Sequence, residues 1–169
     1  LCPGGREGFR PGESLEQANV AVFADTESAP REQDRWRFLT ETEKSYFDRM
    51  YRVIRDEVGC KALVTGTIVF GPCGQYAQTD MDFIDAHAYW QHPRFPGRPW
   101  DQGNWVVNQL AMVDHPDRAT LPRLAAERLA GKPFTVSEYN HPAPNDHQAE
   151  CIPMLAAYAA AQDWDGIWL

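Results

Sequence analysis

The segment of residues 131–142, with the sequence GKPFTVSEYNHP, decides the fold prediction for this chain. Residues 134–136 are apolar and rich in β-forming side chains, which predicts a short buried strand rather than a helix. Glu138 follows at the carboxyl end of that strand, where parallel α/β folds place their active sites. Taken alone, Glu138 fits a solvated loop residue or the partner of an arginine equally well, so the surrounding strands must decide.

Three more strands are predicted, over residues 62–68, 83–90 and 165–169. Amphipathic helices alternate with them, because apolar residues recur at intervals of three and four. The first helical pattern begins at Glu32 and strengthens at Thr40, which opens a capping box. The apolar positions of the three helices are Phe47, Met50, Tyr51, Ile54 and Val58 before Gly59; Leu121, Leu124, Ala125 and Leu129 between Thr120 and Gly131; and Cys151, Met154, Leu155, Tyr158 and Ala159.

The alternation of helices and strands predicts a parallel sheet with right-handed crossovers, as in a doubly wound sheet or a (β/α)8 barrel. A complete barrel needs about 250 residues, and this chain has 169. We therefore predict an α/β fold that forms the second half of a (β/α)8 TIM barrel, strands five to eight, over residues 32–169. A loop-rich segment over residues 1–31 would lead into it, and the same or another polypeptide would supply the remaining half of the barrel.

Composition excludes several classes of partner. The formal net charge of -8 argues against a nucleic acid or an acidic membrane. No apolar run is long enough to span a bilayer. The glycine-rich loop that is expected through Gly74 lacks the Gly-Lys-Ser/Thr ending of a phosphate-binding loop. The cysteines lack the spacing of a zinc motif and could be free or paired; they are Cys2, Cys60, Cys73 and Cys151.

Polar and aromatic side chains follow the predicted strand ends. Because side chains alternate along a strand, His87 and Tyr89 point to the same side. Glu138 and Trp168 would join them in a pocket that combines a carboxylate, an imidazole and aromatic rings. Such a pocket suits a sugar, since aromatic faces stack on the apolar face of a pyranose and polar groups bind its rim. The alternative for each residue alone is a core aromatic or a core histidine.

The same residues carry a family resemblance. The order His-x-Tyr, Glu and Trp at three successive strand ends resembles strands six, seven and eight of clan A glycoside hydrolases, particularly the cellulase-like family 5. The resemblance covers residues 62–169 and is strongest around residues 136–140. It implies Glu138 as the nucleophile of a retaining mechanism, with a supporting shell and a sugar platform formed by His87, Tyr89 and Trp168. It also implies a β-linked polysaccharide of the cellulose or xylan type as substrate, no cofactor, and a secreted or periplasmic protein.

The chain departs from this family in its second carboxylate. The family's general acid/base is a glutamate in an Asn-Glu pair that closes strand four, and no Asn-Glu pair occurs in this sequence. Either the chain lacks half of the catalytic pair, or Glu13 or Glu27 replaces the missing residue. A retaining site needs two carboxyl groups about 5–5.5 Å apart. We expect the first alternative, and therefore weak sugar binding and little turnover by this chain alone.

Four more residues are predicted to contact the substrate. Trp90 and Trp105 border a long loop, which is either a substrate-binding lip or a loop that packs on its own aromatic residues. Asn140 and His141 come soon after Glu138 and either reach the substrate or cap the next helix.

Two other functions compete with the glycosidase hypothesis. A carbohydrate-binding barrel without catalysis would keep the aromatic platform and lack the second carboxylate. A metal-dependent hydrolase would use an Asp/His cluster, whose candidate members are Asp80, Asp82, Asp85, His87, His92, Asp114, His115 and His141. Asp80 and Asp82 precede their strand and are therefore expected at its far end. This favours a structural charge cluster there, and no metal is predicted.

Overall fold

The computed structural model describes residues 9–21, 29–69 and 71–169 of the chain. Helices precede and separate the strands, as the sequence predicts, and the predicted strands around residues 84–89 and from residue 134 are confirmed. The elements are α1 (Ala29–Arg52) with a π-helical turn (Val53–Glu57), α2 (Gly71–Ala77), β1 (Ile84–Tyr89), α3 (Thr120–Ala126), β2 (Phe134–Asn140), a 3-10 turn (Gln148–Glu150), α4 (Cys151–Gln162) and β3 (Gly166–Ile167).

The three described strands form one parallel sheet in the order β1, β2, β3. Each strand therefore lies beside its neighbour in sequence, with a helix in each connection. This confirms the predicted α/β class with a parallel sheet. The half-barrel itself stays a prediction, because a sheet of three strands is compatible with more than one parallel architecture.

The pairing of β1 with β2 contains one irregularity. Ala86 pairs with Val136, but the next residue of β1, His87, pairs with Glu138. Ser137 is therefore an extra residue in β2, which makes this point a β-bulge. Upstream of the bulge Phe134 and Val136 are buried, and downstream Tyr139 is buried.

One face of the sheet forms the hydrophobic core. The side chains of Ile84, Phe134 and Val136 are fully buried there, because α3 and α4 cover this face. Those helices contribute Leu121, Leu124, Cys151 and Leu155 to the same cluster. These four residues confirm the predicted core positions in part. The predicted extent of the second helix is wrong, because α3 ends at Ala126, before the expected stop at Gly131, and Leu129 lies beyond it. Pro122 lies in the first turn of α3, where the missing N–H of proline is tolerated, and the residue before the helix is Ala119.

The strand predicted over residues 62–68 is wrong. This segment is irregular, and its Leu63 side chain is largely exposed. The reason is a side chain that takes the place of a neighbouring strand: Gln78 Oε1 accepts hydrogen bonds from the backbone amides of Gly66 and Thr67, both at 3.0 Å. The segment still lies beside the residues that lead into β1, since the Asp82 amide donates to the carbonyl of Val64 at 2.9 Å.

Two expectations about the first helix and its neighbourhood are also wrong. Thr40 does not cap a helix, because α1 begins at Ala29, before the predicted boundary at residue 32, and runs through Thr40 without a break. The expected glycine-rich loop contains helix α2. Gly59 does end the helical region, with a φ of +74° that favours glycine. Val58 beside it is exposed rather than part of the apolar stripe.

Two smaller predictions concern cysteines and membranes. Among the described residues, Cys60, Cys73 and Cys151 are free thiols, and Cys2 lies outside them. Within the described ranges, no helix combines the length and apolarity that crossing a membrane requires.

Candidate functional site on the polar face of the sheet

The face of the sheet opposite the core is polar. Asp85, His87 and Tyr89 of β1 lie on this face, because they alternate with the buried residues of the strand. Ser137 and Glu138 of β2 are both exposed on it, because the bulge lets two consecutive residues face the same way. The predicted convergence of β1 and β2 at one end of the sheet is therefore confirmed.

Glu138 and His87 are in direct contact. His87 Nδ1 lies 3.2 Å from Glu138 Oε2, close enough for an ion pair when the imidazole is protonated. Half of the Glu138 side chain is exposed, so the carboxylate is open to a ligand on one side while the imidazole holds it on the other. A carboxylate that is held on one side and open on the other can act as a nucleophile or bind a ligand.

A second carboxylate, that of Asp85, lies on the Nε2 side of His87. Asp85 is buried, and its two oxygens accept hydrogen bonds at 2.5 Å from the hydroxyls of Thr135 and Ser137. Ser137 Oγ also lies 2.5 Å from His87 Nε2, and Asp85 Oδ2 lies 3.5 Å from the same nitrogen. The guanidinium of Arg123 donates to the His87 carbonyl at 3.1 Å. Four neighbouring groups thus fix the position of this one residue.

Trp168 lies on the polar face as well. Its amide donates to the Val136 carbonyl at 2.9 Å, which continues the pairing beyond β3. Its ring folds back over Gly166, where an added Cβ would lie 2.7 Å from ring atoms Cη2 and Cζ3. Gly166 pairs with Thr135, so the ring lies beside the Asp85 cluster with 57% of its surface exposed. The polar face therefore presents one exposed indole ring beside Gly166.

Tyr89 and Asn140 mark the end of the same face. The two residues pair across β1 and β2, directly after His87 and Glu138. The Tyr89 ring meets the His92 ring edge-on at 5.7 Å. The side-chain oxygen of Asn140 accepts from the His141 amide at 2.8 Å, so this group caps the backbone while the rest of the residue is exposed.

Two of the residues predicted at the substrate lie on the core side instead. Trp90 is only 3% exposed, and its indole nitrogen donates to the Leu110 carbonyl at 2.8 Å. His141 is 1% exposed and lies beside the hydroxyl of Tyr139, with 3.3 Å between Nε2 and the oxygen. Both predictions are wrong for the same reason: alternation along the strands carries these positions to the buried face.

In the loop after β1, Trp100 rather than Trp105 is linked to the polar face through ring contacts. Trp105 lies beside the antiparallel bridge between Arg94 and Val106, and the described ring contacts do not connect it to the polar face. Trp100 does connect, because its ring meets that of His92 at 6.3 Å, and His92 meets Tyr89. Trp100 is 73% exposed and has a φ of +61°, a backbone conformation that bulky residues rarely adopt. The sequence placed Trp100 in the loop without singling it out.

Glu13 does not serve as the second catalytic carboxylate. Arg31 binds both of its oxygens, at 2.6 and 3.0 Å, and the amides of Arg10 and Ala21 donate to them. The Arg31 hydrogen bonds, followed by those amides, lower the pKa of Glu13 to about 2. A carboxyl group with that pKa is ionised at neutral pH and has no proton to give to a leaving group. The other candidate, Glu27, lies outside the described residues.

The competing metal site finds no support in the described part of the chain. Among these residues, no group of three or more His, Cys, Asp or Glu side chains is arranged so that it could hold a metal ion. Asp80 instead pairs with Lys44, and Asp82 pairs with Arg55 at the start of β1. The expectation of a structural charge cluster there is confirmed.

No family model matches this chain, and no curated protein or solved structure is significantly similar to it. The geometry of the polar face therefore carries the functional argument.

Proposed function

We propose that this chain carries the nucleophile half of a retaining glycoside hydrolase that cleaves β-linked polysaccharides of the cellulose or xylan type. The observation that carries the proposal is the contact of 3.2 Å between His87 Nδ1 and the half-exposed carboxylate of Glu138. It supports Glu138 as a carboxylate that is held in one orientation and yet open to an incoming sugar.

In the proposed reaction, a Glu138 oxygen attacks the anomeric carbon, and the bond from that carbon to the leaving oxygen breaks. The product is a glycosyl ester of Glu138, which water later hydrolyses with retention of configuration. A second carboxyl group must protonate the leaving oxygen and then activate the water. The remaining half of the barrel, from the same or another polypeptide, would supply it.

The aromatic side chains around Glu138 support a sugar as the ligand. The exposed ring of Trp168 lies on the same face and would stack on the pyranose next to the cleaved bond. Tyr89 borders the opposite end of the site, and Trp100 would extend it for further sugar units. The flat, exposed rings suit a polymer that binds across an open surface rather than a small molecule that is enclosed.

The experiment that tests this proposal removes the need for the missing acid. A dinitrophenyl β-cellobioside or β-xylobioside with fluorine at carbon two has a leaving group that departs without protonation, and the fluorine slows hydrolysis of the ester. We expect the chain to gain the mass of the fluorosugar, and peptide mapping to place that mass on Glu138.

Glu138→Gln is the matched variant, since the amide keeps the shape and loses the nucleophile. We expect at least about 10⁴-fold slower labelling, in the range that loss of a nucleophile produces in other enzymes. Labelling of the variant at the parent rate, or label on another residue, would contradict the role of Glu138. Absence of label on the parent chain with both sugars would contradict the glycosidase proposal as a whole.

A carbohydrate-binding protein without catalysis is the second candidate. It is favoured by the contacts of Glu13, because Arg31 binds both oxygens of the one described candidate for the acid that the sequence had suggested. Calorimetry with cellohexaose and xylohexaose separates the two functions. Heat of binding without any labelling of Glu138 by the fluorosugars would support the binding protein.

A further inference from the structure

The bulge in β2 brings two neighbouring residues to the two sides of one imidazole. Ser137 Oγ lies 2.5 Å from His87 Nε2, and Glu138 Oε2 lies 3.2 Å from His87 Nδ1. In a regular strand, Ser137 and Glu138 would point to opposite faces of the sheet. The extra residue therefore builds a clamp that holds both ring nitrogens of His87 at once.

Counting donors and acceptors assigns the protons of this clamp. The Ser137 hydroxyl has one proton, which it donates to the carboxylate of Asp85 at 2.5 Å. The contact between Ser137 Oγ and His87 Nε2 then needs its proton from the imidazole. On the other side, Nδ1 lies 3.2 Å from the Glu138 carboxylate. His87 is thus held between the Ser137–Asp85 pair and Glu138.

We infer that Ser137 and Asp85 are positioning residues for the nucleophile, an inference that rests on the proposed role of Glu138. Asp85 is buried and is fixed by two hydroxyls, so it is the anchor. Ser137 links that anchor to His87, whose Nδ1 lies 3.2 Å from one oxygen of Glu138. The other Glu138 oxygen stays free to attack the sugar. Arg123 holds the backbone of His87 from the α3 side.

Ser137 is not itself the nucleophile, although the series Ser137, His87, Glu138 has the connectivity of a serine hydrolase triad. The Ser137 hydroxyl donates its proton to the Asp85 carboxylate at 2.5 Å. That proton is therefore not directed at His87, which would have to accept it in a serine hydrolase. The negative charge of Asp85 would also oppose the oxyanion that forms when a serine attacks an ester. The same four side chains therefore favour positioning over acyl transfer.

The test compares two variants that differ in one group. Ser137→Thr keeps the hydroxyl, and Ser137→Val replaces that hydroxyl with a methyl group of similar shape. Both side chains are β-branched and suit the exposed position in the strand. A difference between them therefore reports the hydroxyl rather than the fold.

The first readout is the ¹⁵N NMR spectrum of the imidazole groups, with the His87 resonances assigned by their loss in His87→Gln. We expect Nε2 of His87 to carry a proton in the parent and in Ser137→Thr. In Ser137→Val the Nε2 resonance should move, because its oxygen partner is gone. An Nε2 resonance that is the same in all three proteins, or an unprotonated Nε2 in the parent, would overturn the inference.

The second readout is the rate at which the dinitrophenyl fluorosugar labels Glu138. We expect about a 10-fold to 100-fold lower rate in Ser137→Val, as for a small misplacement of a catalytic group, and a rate near that of the parent in Ser137→Thr. Equal rates in both variants would overturn the positioning role. Acetylation of Ser137 by p-nitrophenyl acetate would overturn it in favour of acyl transfer.

The two readouts also separate this inference from the function on which it rests. If the parent is never labelled, the glycosidase proposal fails while the NMR comparison still decides whether Ser137 holds His87. If labelling occurs but the variants do not differ, Glu138 is the nucleophile and Ser137 is not its positioning residue.

Discussion

The two faces of the three-stranded sheet are built from the same strands and differ in almost every property. On the core face, Ile84, Phe134 and Val136 are fully buried under helices. On the polar face, His87 and Glu138 are partly open and contact each other. Strands of parallel sheets are usually covered on both faces and read as continuous apolar runs. A polar face on such a sheet therefore points to a retained site rather than to a requirement of folding.

The side chains of the two faces also differ in how much they contribute to the stability of the fold. Each large side chain on the core face contributes about 1.5–3 kcal/mol through burial. A partly exposed ion pair such as His87 with Glu138 contributes roughly 0–1 kcal/mol. Changes on one face should therefore act on stability, and changes on the other should act on ligands. Variants on each face test that separation.

The largest expected effect on stability is that of Phe134→Ala. Phe134 is fully buried and meets the Trp164 ring edge-on at 5.4 Å. Loss of a buried phenyl group removes its transfer free energy and leaves a cavity, so we expect the free energy of unfolding to fall by about 3–5 kcal/mol. Urea denaturation measures it. Glu138→Gln is the control from the polar face and should change the stability by no more than about 0.5 kcal/mol.

A smaller effect is expected from pH, through His141 on the core side. Burial lowers the pKa of His141 in the folded state, while the carboxylate of Glu150 opposes the shift. The unfolded chain then binds more protons than the folded one once the pH falls through the ordinary histidine pKa of about 6.5. Stability contributed by the neutral imidazole is therefore present above that pH and is lost as the pH falls toward the folded pKa.

Thermal unfolding of the parent and of His141→Gln between pH 7.5 and 5.5 checks this sign. The midpoint of the parent should fall more steeply with acid than that of the variant. The comparison with the variant is needed because other groups titrate in both proteins. Burial raises the pKa of Glu127, for example, which acts in the opposite direction. Parallel slopes for the two proteins would show that His141 does not contribute.

The smallest effect on stability is expected for Gly166→Ala. This variant tests whether a change on the polar face alters ligand binding without altering stability. The new methyl group would meet the outer ring atoms of Trp168 at 2.7 Å, so the ring must move. Because most of that ring is exposed, its displacement should cost well under about 1 kcal/mol. Sugar stacking depends on the ring position, so calorimetry with cellohexaose should show weaker binding. Unchanged affinity would remove Trp168 as the platform.

Much of this fold was predictable because it follows local periodicity. The strand from Phe134, the stripe of α4 and the helix end at Gly59 all follow residue types at fixed intervals. The failures come from non-local contacts. Residues 62–68 have a strand-like composition, but the side chain of Gln78 binds their amides. No sequence interval signals that contact.

The candidate site was predictable in part. His87, Glu138 and Trp168 were found because alternation and strand ends place them on one face. Alternation counted two residues further would also have placed Trp90 on the buried side, and the prediction treated it as a loop residue. The role of Ser137 could not be foreseen, because it depends on a bulge that only the pairing with β1 creates.

That bulge has one more consequence, which concerns insertions and deletions. Before Ser137 the odd-numbered residues of β2 face the ligand side, and after it the even-numbered ones do. The extra residue thus shifts the alternation of side chains between the two faces by one position. Deleting it would leave a regular strand in which Val136 and Tyr139 stay buried and Glu138 stays on the polar face, because Glu138 already pairs with the residue that follows Ala86. The contact of Ser137 with His87, and not the separation of the two faces, is what depends on the extra residue.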